Sequence, residues 1–207
     1  MTGNVKAHFD SRAADYAEKS NRWPWALLRD RETQAFLGLL PNIKDKEVLE
    51  FGPGAGHYTR NVIACGAKRV CCVDQSANMI KSLPPKLTEG IVGDATQINI
   101  GRHFPLIISA GVLEFIRSPD ALFRNARRHA MTNSILLILA PRNNFWGMLY
   151  HHYHRRNGIG ISLFEEAQLG ELARRAGWRQ LGIRLVWPFT IIMKFSAESL
   201  DDSLHIN

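Results

Sequence analysis

A glycine-rich segment is the part of this 207-residue sequence whose residue types and spacing most directly indicate ligand chemistry. Residues 50–56 read E-F-G-P-G-A-G, so three glycines stand at alternate positions between a strand-like run and a helical pattern. Glycine lets the backbone turn sharply and lets a ligand approach without a Cβ in the way. The start of the following helix presents free N–H groups. These features favour a small-molecule site over a tight turn without a ligand.

The spacing of the glycines distinguishes between the nucleotide-binding loops. A dinucleotide fingerprint has glycine at its first, third and sixth positions, and counting from Gly52 the sixth position is His57. A phosphate-binding loop needs Gly-Lys-Ser or Gly-Lys-Thr, which the segment lacks. The E-x-G-x-G-x-G pattern resembles instead the first motif of class I S-adenosylmethionine-dependent methyltransferases. In that family the loop holds a sulfonium amino acid and a nucleoside, without a pyrophosphate.

Further segments resemble the same family in the same order along the chain. Asp74 ends the second strand-like run, where an acidic residue accepts hydrogen bonds from ribose hydroxyls. Asp94 follows the third run, near the adenine in the family, and residues 111–116 read GVLEFI where family members often read GVLEHI. Residues 9–16 read FDSRAADY, similar to the N-terminal segment of methyltransferases that modify quinones and porphyrins. By that resemblance Tyr16 would close over the methionine end of the cofactor.

The resemblance implies a cofactor and a set of residues that bind it. The cofactor is S-adenosylmethionine, and most of its expected contacts follow the carboxyl ends of strands, where α/β sheets bind ligands. The residues expected to bind this cofactor are Tyr16, Glu50, Gly52, Gly54, Gly56, Asp74, Gln75, Asp94, Ala95 and Ala110.

Two departures from the family pattern concern acceptor chemistry more than cofactor binding. The family usually has an acidic residue before the fourth strand, where this chain has Pro105, and Phe115 replaces the histidine of GVLEHI. Methyl transfer from a sulfonium is an in-line displacement, in which the protein supplies alignment and a dry site. A hydroxyl acceptor also has a proton to lose, so a general base helps. The candidates are Glu114, His57, His103 and the histidines at 151, 152 and 154, and the sequence assigns the catalytic role to none of them.

Residues 141–163 are long for a connection and are rich in aromatic and basic residues. In class I methyltransferases the corresponding stretch commonly contributes to the acceptor pocket, so we expect a partly helical substrate lid. A cationic, aromatic rim would receive a carboxylate, a phosphate or a lipid headgroup, and the alternative is a solvated basic helix end. No metal is expected, because adjacent histidines diverge on a helix and no cysteine or carboxylate stands at ligand spacing. The residues expected to contact the acceptor are Trp146, Tyr150, His154, Arg155 and Arg156.

The elements that must position these residues alternate between strand and helix patterns after Lys46. Helix starts are indicated by Ser76, by Ser118 before a proline, and by a capping box of Ser162 with Glu165. The alternation predicts an α/β, Rossmann-like doubly wound sheet that is mostly parallel, with helices on both faces. The last two strands, joined by a tight link, predict an antiparallel C-terminal hairpin. The strand patterns cover residues 48–51, 69–73, 90–92, 106–110, 135–139, 180–186 and 190–195.

Length and composition set the expected domain organisation. The sequence is 45% hydrophobic and 22% charged, which indicates one soluble globular unit. We expect an N-terminal helical cover at 1–42, a class I methyltransferase core at 43–197 with the lid near 141–163, and a flexible tail at 198–207. Three cysteines without a disulfide framework, no long apolar run and no signal-like start favour a cytoplasmic protein.

The net charge of +7 allows nucleic acid binding, an anionic substrate or membrane surface, or simply a basic solvated surface. Together with the resemblance, it favours a methyltransferase acting on oxygen in a small-molecule acceptor that is anionic or lipid-like. The alternatives are an RNA or protein methyltransferase, although no RRM, KH or Asn-Pro-Pro-Tyr-like motif is present, and a non-catalytic cofactor-binding scaffold. Nucleic acid is not the expected partner, peripheral membrane contact is allowed, and the oligomeric state is undetermined.

Overall fold

The structure is a computed structural model that describes residues 25–198 of the chain. Tyr16, most of the expected N-terminal cover and nearly all of the expected tail lie outside the described residues. The described part of the chain forms seven strands and six α-helices.

The strands are β1 (Glu47–Phe51), β2 (Arg69–Asp74), β3 (Thr88–Val92), β4 (Phe104–Ala110), β5 (Ala130–Pro141), β6 (Trp178–Val186) and β7 (Thr190–Ala197). They form one sheet in the order β3-β2-β1-β4-β5-β7-β6. Strands β1 to β5 pair in parallel, whereas β7 runs antiparallel to both of its neighbours, β5 and β6. The strand order reverses between β1 and β4, and doubly wound sheets bind ligands at such a reversal. The expected fold class is confirmed.

The helices are α1 (Trp25–Leu37), α2 (His57–Ala64), α3 (Ala77–Lys81), α4 (Pro119–Arg128), α5 (Phe145–Arg156) and α6 (Glu166–Arg175), and a 3-10 turn covers Leu113–Phe115. In β4, Leu106 and Ile108 pack on the side of α1 and α2, while Ile107 packs toward α4 and α6. Because a strand alternates its side chains between two faces, a continuously apolar strand needs cover on both. Within residues 25–198, none of the helices is both long enough and apolar enough to cross a membrane.

Strand β5 begins at Ala130, well before the start that the apolar pattern predicts. Residues 132–134 are polar and lie outside the predicted strand, but Asn133 takes a left-handed φ of 63° and the strand continues through a shift in register. The Ser134 hydroxyl donates to the carbonyl of Phe104 at 2.7 Å and accepts from the N–H of Met131 at 2.8 Å. These bonds pair backbone N–H and C=O groups that the irregular part of the strand would otherwise leave without partners. The residue types alone do not predict this pairing.

The prediction of a capping box formed by Ser162 and Glu165 is wrong. Glu165 does stand at the N-cap of α6, but its side chain makes no bond to the helix N–H groups. Ser162 lies earlier, in a segment whose backbone is already paired, since its N–H donates to the carbonyl of Glu114 at 2.8 Å. Phe164 of the same segment forms an isolated parallel bridge with Arg142. Tertiary pairing of this segment therefore replaces the local cap.

Helix α5 is attached to the β6–β7 turn and to the segment that returns from it. The Asn144 side chain caps the helix by accepting from the N–H of Gly147 at 2.8 Å, and its amide donates to the carbonyl of Pro188 at 2.9 Å. On the return segment, the carbonyl of Ile161 lies 2.9 Å from Nδ1 of His151, which therefore carries a proton and donates it. These bonds fix the orientation of α5 relative to the sheet.

Candidate active site

A cavity of about 470 Å³ lies at the carboxyl ends of β1, β2 and β4. The glycine segment lines one part of it, together with the residues that follow β2, β3 and β4. The carboxyl end of β5 reaches it too, and so does the first residue of β7, because β7 is antiparallel and starts at this edge of the sheet. The volume is in the range of small-molecule binding sites.

The three glycines of residues 50–56 all have a left-handed backbone, but for different reasons. A Cβ on Gly52 (φ 67°) would come within 2.2 Å of Val112 Cγ2, so the fold itself requires this glycine. Gly56 (φ 78°) is the N-cap of α2, and its Cβ would touch Leu83 at 3.0 Å. At Gly54 (φ 53°) a Cβ would meet no protein atom within 4 Å. Since Gly54 also lines the cavity, the space at this position is available to a ligand.

Glu50 is not on the cavity wall. Its carboxyl is buried beneath the glycine segment and accepts a hydrogen bond from the Thr59 hydroxyl at 2.6 Å. Burial raises the pKa of Glu50 to about 7, and nearby Asp74 contributes in the same direction. The Glu50–Thr59 bond joins β1 to the first turn of α2, so Glu50 supports the loop between them.

Residues that follow β2 and β3 continue the wall. Asp74 lines the cavity, and its Oδ1 accepts from the N–H of Ser76 at 2.9 Å. Ser76 in turn caps α3, as expected, by accepting from the N–H of Met79 at 3.2 Å. Asp94 also lines the cavity and accepts two hydrogen bonds from Thr96, one from its N–H and one from its hydroxyl. Local turns thus hold both carboxylates at the edge of the cavity.

A second group of lining residues comes from α1, α5, the β6–β7 turn and the start of β7. The Thr190 hydroxyl donates to Oε1 of Glu32 at 2.5 Å. The rings of Tyr150 and Phe189 are stacked, with centroids 4.7 Å apart and planes 22° from parallel. Burial raises the pKa of Glu32, although the bond from Thr190 opposes this shift. This side of the cavity therefore combines a flat aromatic surface with a carboxyl group.

Glu114 brings a second carboxyl group to the same wall. It belongs to the 3-10 turn after β4 and is buried, with 5% of its surface exposed. Its Oε2 has no hydrogen-bond partner among residues 25–198. Burial, with a smaller contribution from the nearby Glu32, raises the pKa of Glu114 to about 8. Glu114 is therefore mainly protonated at neutral pH and is a stronger base than an exposed carboxylate once ionised.

His57 lines the cavity beside the glycine segment and is neutral at physiological pH. Burial lowers its pKa to about 4, and the positive charges of Arg29 and Arg60 act in the same direction. Its Nε2 lies 2.7 Å from the Thr33 hydroxyl, whose own proton goes to the carbonyl of Arg29. Nε2 must then carry the ring proton, which leaves Nδ1 with a lone pair. The other candidate bases, His103 and the histidines at 151, 152 and 154, do not line the cavity.

The residues expected to bind the cofactor or the acceptor divide between the wall and other positions. Tyr150 lies on the wall, and His154 packs behind it with ring centroids 4.4 Å apart. Trp146 is exposed and touches the Trp187 ring. Gly56 does not line the cavity, and neither do Arg155 and Arg156, which are exposed. The expected cofactor residues that line the cavity are Gly52, Gly54, Asp74, Gln75, Asp94, Ala95 and Ala110.

Glu32, Thr190 and Phe189 are lining residues that the sequence patterns missed. Glu32 is one of several charged residues of a helix, and Thr190 opens a strand that is otherwise apolar. No spacing rule connects them, because their contact spans 158 positions. The sequence identifies Glu114 only as one of several candidate bases.

No group of three His, Cys, Asp or Glu side chains within residues 25–198 is arranged to hold a metal ion.

Comparison with known sequences identifies a family. The family described as "methyltransferase domain" matches residues 20–181, which is most of the chain. The ribosomal RNA small subunit methyltransferase A of Agrobacterium fabrum is 28% identical over 141 residues, or 64% of this chain and 48% of that protein. The chain thus spans about half the length of the curated relatives it matches.

Comparison with solved structures supports the fold. The magnesium protoporphyrin IX methyltransferase of Synechocystis, with bound S-adenosylhomocysteine, has a TM-score of 0.76 at 14% identity, covering 96% of this chain and 100% of that one. A chain from a complex between a Haloferax volcanii methyltransferase activator and a methyltransferase has a TM-score of 0.78 at 15% identity. The match covers 92% of this chain and 98% of that one. Because the family match covers residues 20–181 and the glycine motif lies within it, the chain belongs to the class I S-adenosylmethionine-dependent methyltransferases.

Proposed function

We propose that this protein transfers the methyl group of S-adenosylmethionine to a weakly acidic hydroxyl of a flat small molecule. The observation that carries this proposal is the pair of carboxyl groups, Glu32 and Glu114, on a cavity wall that also holds the Tyr150–Phe189 stack. A flat ring would pack against the aromatic stack, and its hydroxyl would reach a carboxyl group that can accept the proton.

The residues around the glycine segment fit the cofactor. Gly54 leaves open space where any other residue would place a Cβ. Asp74 would accept hydrogen bonds from the ribose hydroxyls, and Asp94 would lie near the adenine. Glu50 and Gly56 would act by supporting the loop, and Tyr16 keeps its proposed role at the methionine end. When bound, the cofactor supplies a methyl group that is activated by its positively charged sulfur.

Glu114 is the proposed general base. A base works best when its pKa approaches that of the proton it removes, and an ordinary glutamate at about 4.3 is a poor match for a phenol-like hydroxyl at about 10. Burial brings the pKa of Glu114 to about 8, closer to such a hydroxyl. Glu32, held by Thr190, would orient the acceptor by a hydrogen bond. Of the expected acceptor contacts we retain Tyr150, with His154 positioning it.

The decisive experiment is methyl transfer from radiolabelled S-adenosylmethionine to separate panels of phenols, carboxylic acids, amines, RNA and protein. We expect label in a phenolic or enolic small molecule, and a large loss of transfer in Glu114→Gln. Label that appears only in amines, or transfer that is unchanged in Glu114→Gln, would contradict the oxygen-acceptor proposal.

RNA is the second candidate acceptor, because the curated relatives are named as ribosomal RNA methyltransferases. Against it, residues 110–113 read A-G-V-L at the carboxyl end of β4, where enzymes that methylate amide or base nitrogens have an Asn-Pro-Pro-Tyr-like motif. The acceptor side of the cavity also carries carboxyl groups rather than an excess of basic side chains. Label incorporated into the RNA panel alone would establish this second candidate.

A further inference from the structure

The outer side of α5 and the neighbouring β6–β7 turn expose a group of large apolar side chains. We call this group the aromatic face. Its most exposed members are Trp187 at 65% and Phe145 at 62%. An exposed apolar surface of this kind marks an interaction site more often than a random surface does. The aromatic face consists of Phe145, Trp146, Met148, Leu149, Tyr153 and Trp187.

These side chains form one surface rather than scattered exposures. The rings of Phe145 and Trp146 have centroids 5.5 Å apart, and those of Trp146 and Trp187 are 5.9 Å apart. The helix and the turn that carry them are joined by the bond from the Asn144 amide to the carbonyl of Pro188. The surface is therefore fixed in place by the fold.

Positive charge adjoins the aromatic face. Helix α5 contains no acidic residue, and His152, Arg155 and Arg156 are exposed near its carboxyl end. The whole chain carries a net charge of +7. Aromatic and aliphatic side chains beside arginines are typical of helices that lie in the interface of anionic membranes. Tryptophan in particular favours the headgroup level, where its ring is partly apolar and its N–H is hydrated.

We propose that the aromatic face docks this protein on the surface of an anionic lipid bilayer, with α5 parallel to the membrane plane. The half-buried Tyr150 of the same helix lines the cavity, so the docked helix would adjoin both the bilayer and the cavity. The docking itself does not depend on which acceptor is methylated.

Two other occupants fit the surface less well. RNA would stack on the aromatic rings and pair with the arginines, but Met148 and Leu149 offer a nucleic acid neither stacking nor hydrogen bonds. The N-terminal segment 1–24 carries four basic and three acidic residues, so it has no negative excess to match Arg155 and Arg156. An anionic bilayer matches both the apolar side chains and the charge.

The test is co-sedimentation of the full chain with vesicles of phosphatidylcholine, alone or mixed with phosphatidylglycerol. We expect binding to the mixed vesicles, weakened about tenfold in Trp146→Ala/Trp187→Ala through lost apolar burial. Arg155→Ala/Arg156→Ala should weaken it by about tenfold or more through lost attraction to the anionic lipid. All four side chains are exposed, so the variants should fold, which circular dichroism and unchanged binding of S-adenosylmethionine would check.

Matched controls come from exposed positions away from α5. Leu181→Ala removes an equally exposed apolar side chain of β6, and Arg128→Ala/Arg179→Ala removes the same charge elsewhere. Both should bind the mixed vesicles as the wild type does. The proposal is overturned if the wild type ignores mixed vesicles, or if the aromatic and control variants bind equally. It is also overturned if the aromatic variants lose RNA binding or dimerisation while vesicle binding stays unchanged.

Discussion

The hydroxyl of Thr190 donates a hydrogen bond of 2.5 Å to Oε1 of Glu32, across 158 positions of the sequence. The bond joins α1 to the first residue of β7 at the edge of the cavity. Burial is the main cause of the raised pKa of both Glu32 and Glu114, and the position of Glu32 on α1 adds to the shift of Glu114.

The pH dependence of methyl transfer should report Glu114. Its pKa is raised to about 8 and the proposed base is the ionised form, so kcat/KM should rise with pH and level off above that value. Glu114→Gln should lower kcat/KM by about a hundredfold and abolish the rise. Steady-state kinetics across the pH range measures both effects. Glu165→Gln, at an exposed glutamate, should keep the wild-type profile, and a Glu114→Gln profile of unchanged shape would exclude Glu114 as the base.

The stability of the protein should depend on pH through the same group. A carboxyl with a raised pKa binds its proton more tightly in the folded state, so its contribution is complete below about pH 4.5 and is lost as the pH rises through about 8. Glutamine at position 114 does not titrate, so the free energy of unfolding of Glu114→Gln should increase relative to that of the wild type as the pH rises from about 4.5 to above 8. Urea denaturation of both proteins checks this. The comparison cancels His57, whose lowered pKa removes stability below about pH 6.5 in both proteins. If the difference in the free energy of unfolding between the two proteins did not change with pH, the raised pKa of Glu114 would be contradicted.

Gly54 offers a test of the cofactor loop with a matched control. Gly54 and Gly101 both have a left-handed φ, at 53° and 69°, and a Cβ at either position meets no protein atom within 4 Å. An alanine at either site should lower the free energy of unfolding by about 1 kcal/mol through backbone strain. Only Gly54→Ala should also weaken S-adenosylmethionine binding, by about tenfold or more, in calorimetry. Equal affinities of the two variants would show that Gly54 does not face the cofactor.

Thr190→Val tests the link between α1 and β7. Valine keeps the branched shape that suits a strand but removes the donor to Glu32. The free energy of unfolding should fall by about 1 kcal/mol, since a partly buried hydrogen bond is lost. The KM of the acceptor should rise, while the affinity for S-adenosylmethionine stays the same. Thr132→Val, at an exposed position of β5, is the control, and a rise in KM of similar size there would make the effect nonspecific.

The cofactor side of the site could be predicted because its information is local. Asp74 ends β2, Asp94 stands two residues after β3, and the glycines adopt the left-handed backbone that their residue type permits. Even there the sequence does not separate Gly54, which faces open space, from Gly52, which is required by the proximity of Val112. It also does not show that Glu50 lies beneath the loop, since only the contact with Thr59 determines this.

The acceptor side could not be predicted, because segments far apart in the chain build it. The expected capping box at Ser162 failed for the same reason, since the N–H of Ser162 is paired with Glu114 across the structure. The polar residues 132–134 conceal the start of β5, where a side-chain bond replaces regular pairing. In each case a long-range contact outweighs a local preference, which is worth only about 1 kcal/mol.

By itself the sequence determined the fold class, the strand-to-helix turn that forms the glycine loop, and the family. These depend on apolar periodicity and residue type, which act over a few neighbouring residues. The tertiary structure decided which side chains face the cavity, that Glu32 lies close enough to Glu114 to raise its pKa, and that the outer side of α5 stays exposed. Burial and charge interactions depend on distances in space, so they exist only once the chain has packed.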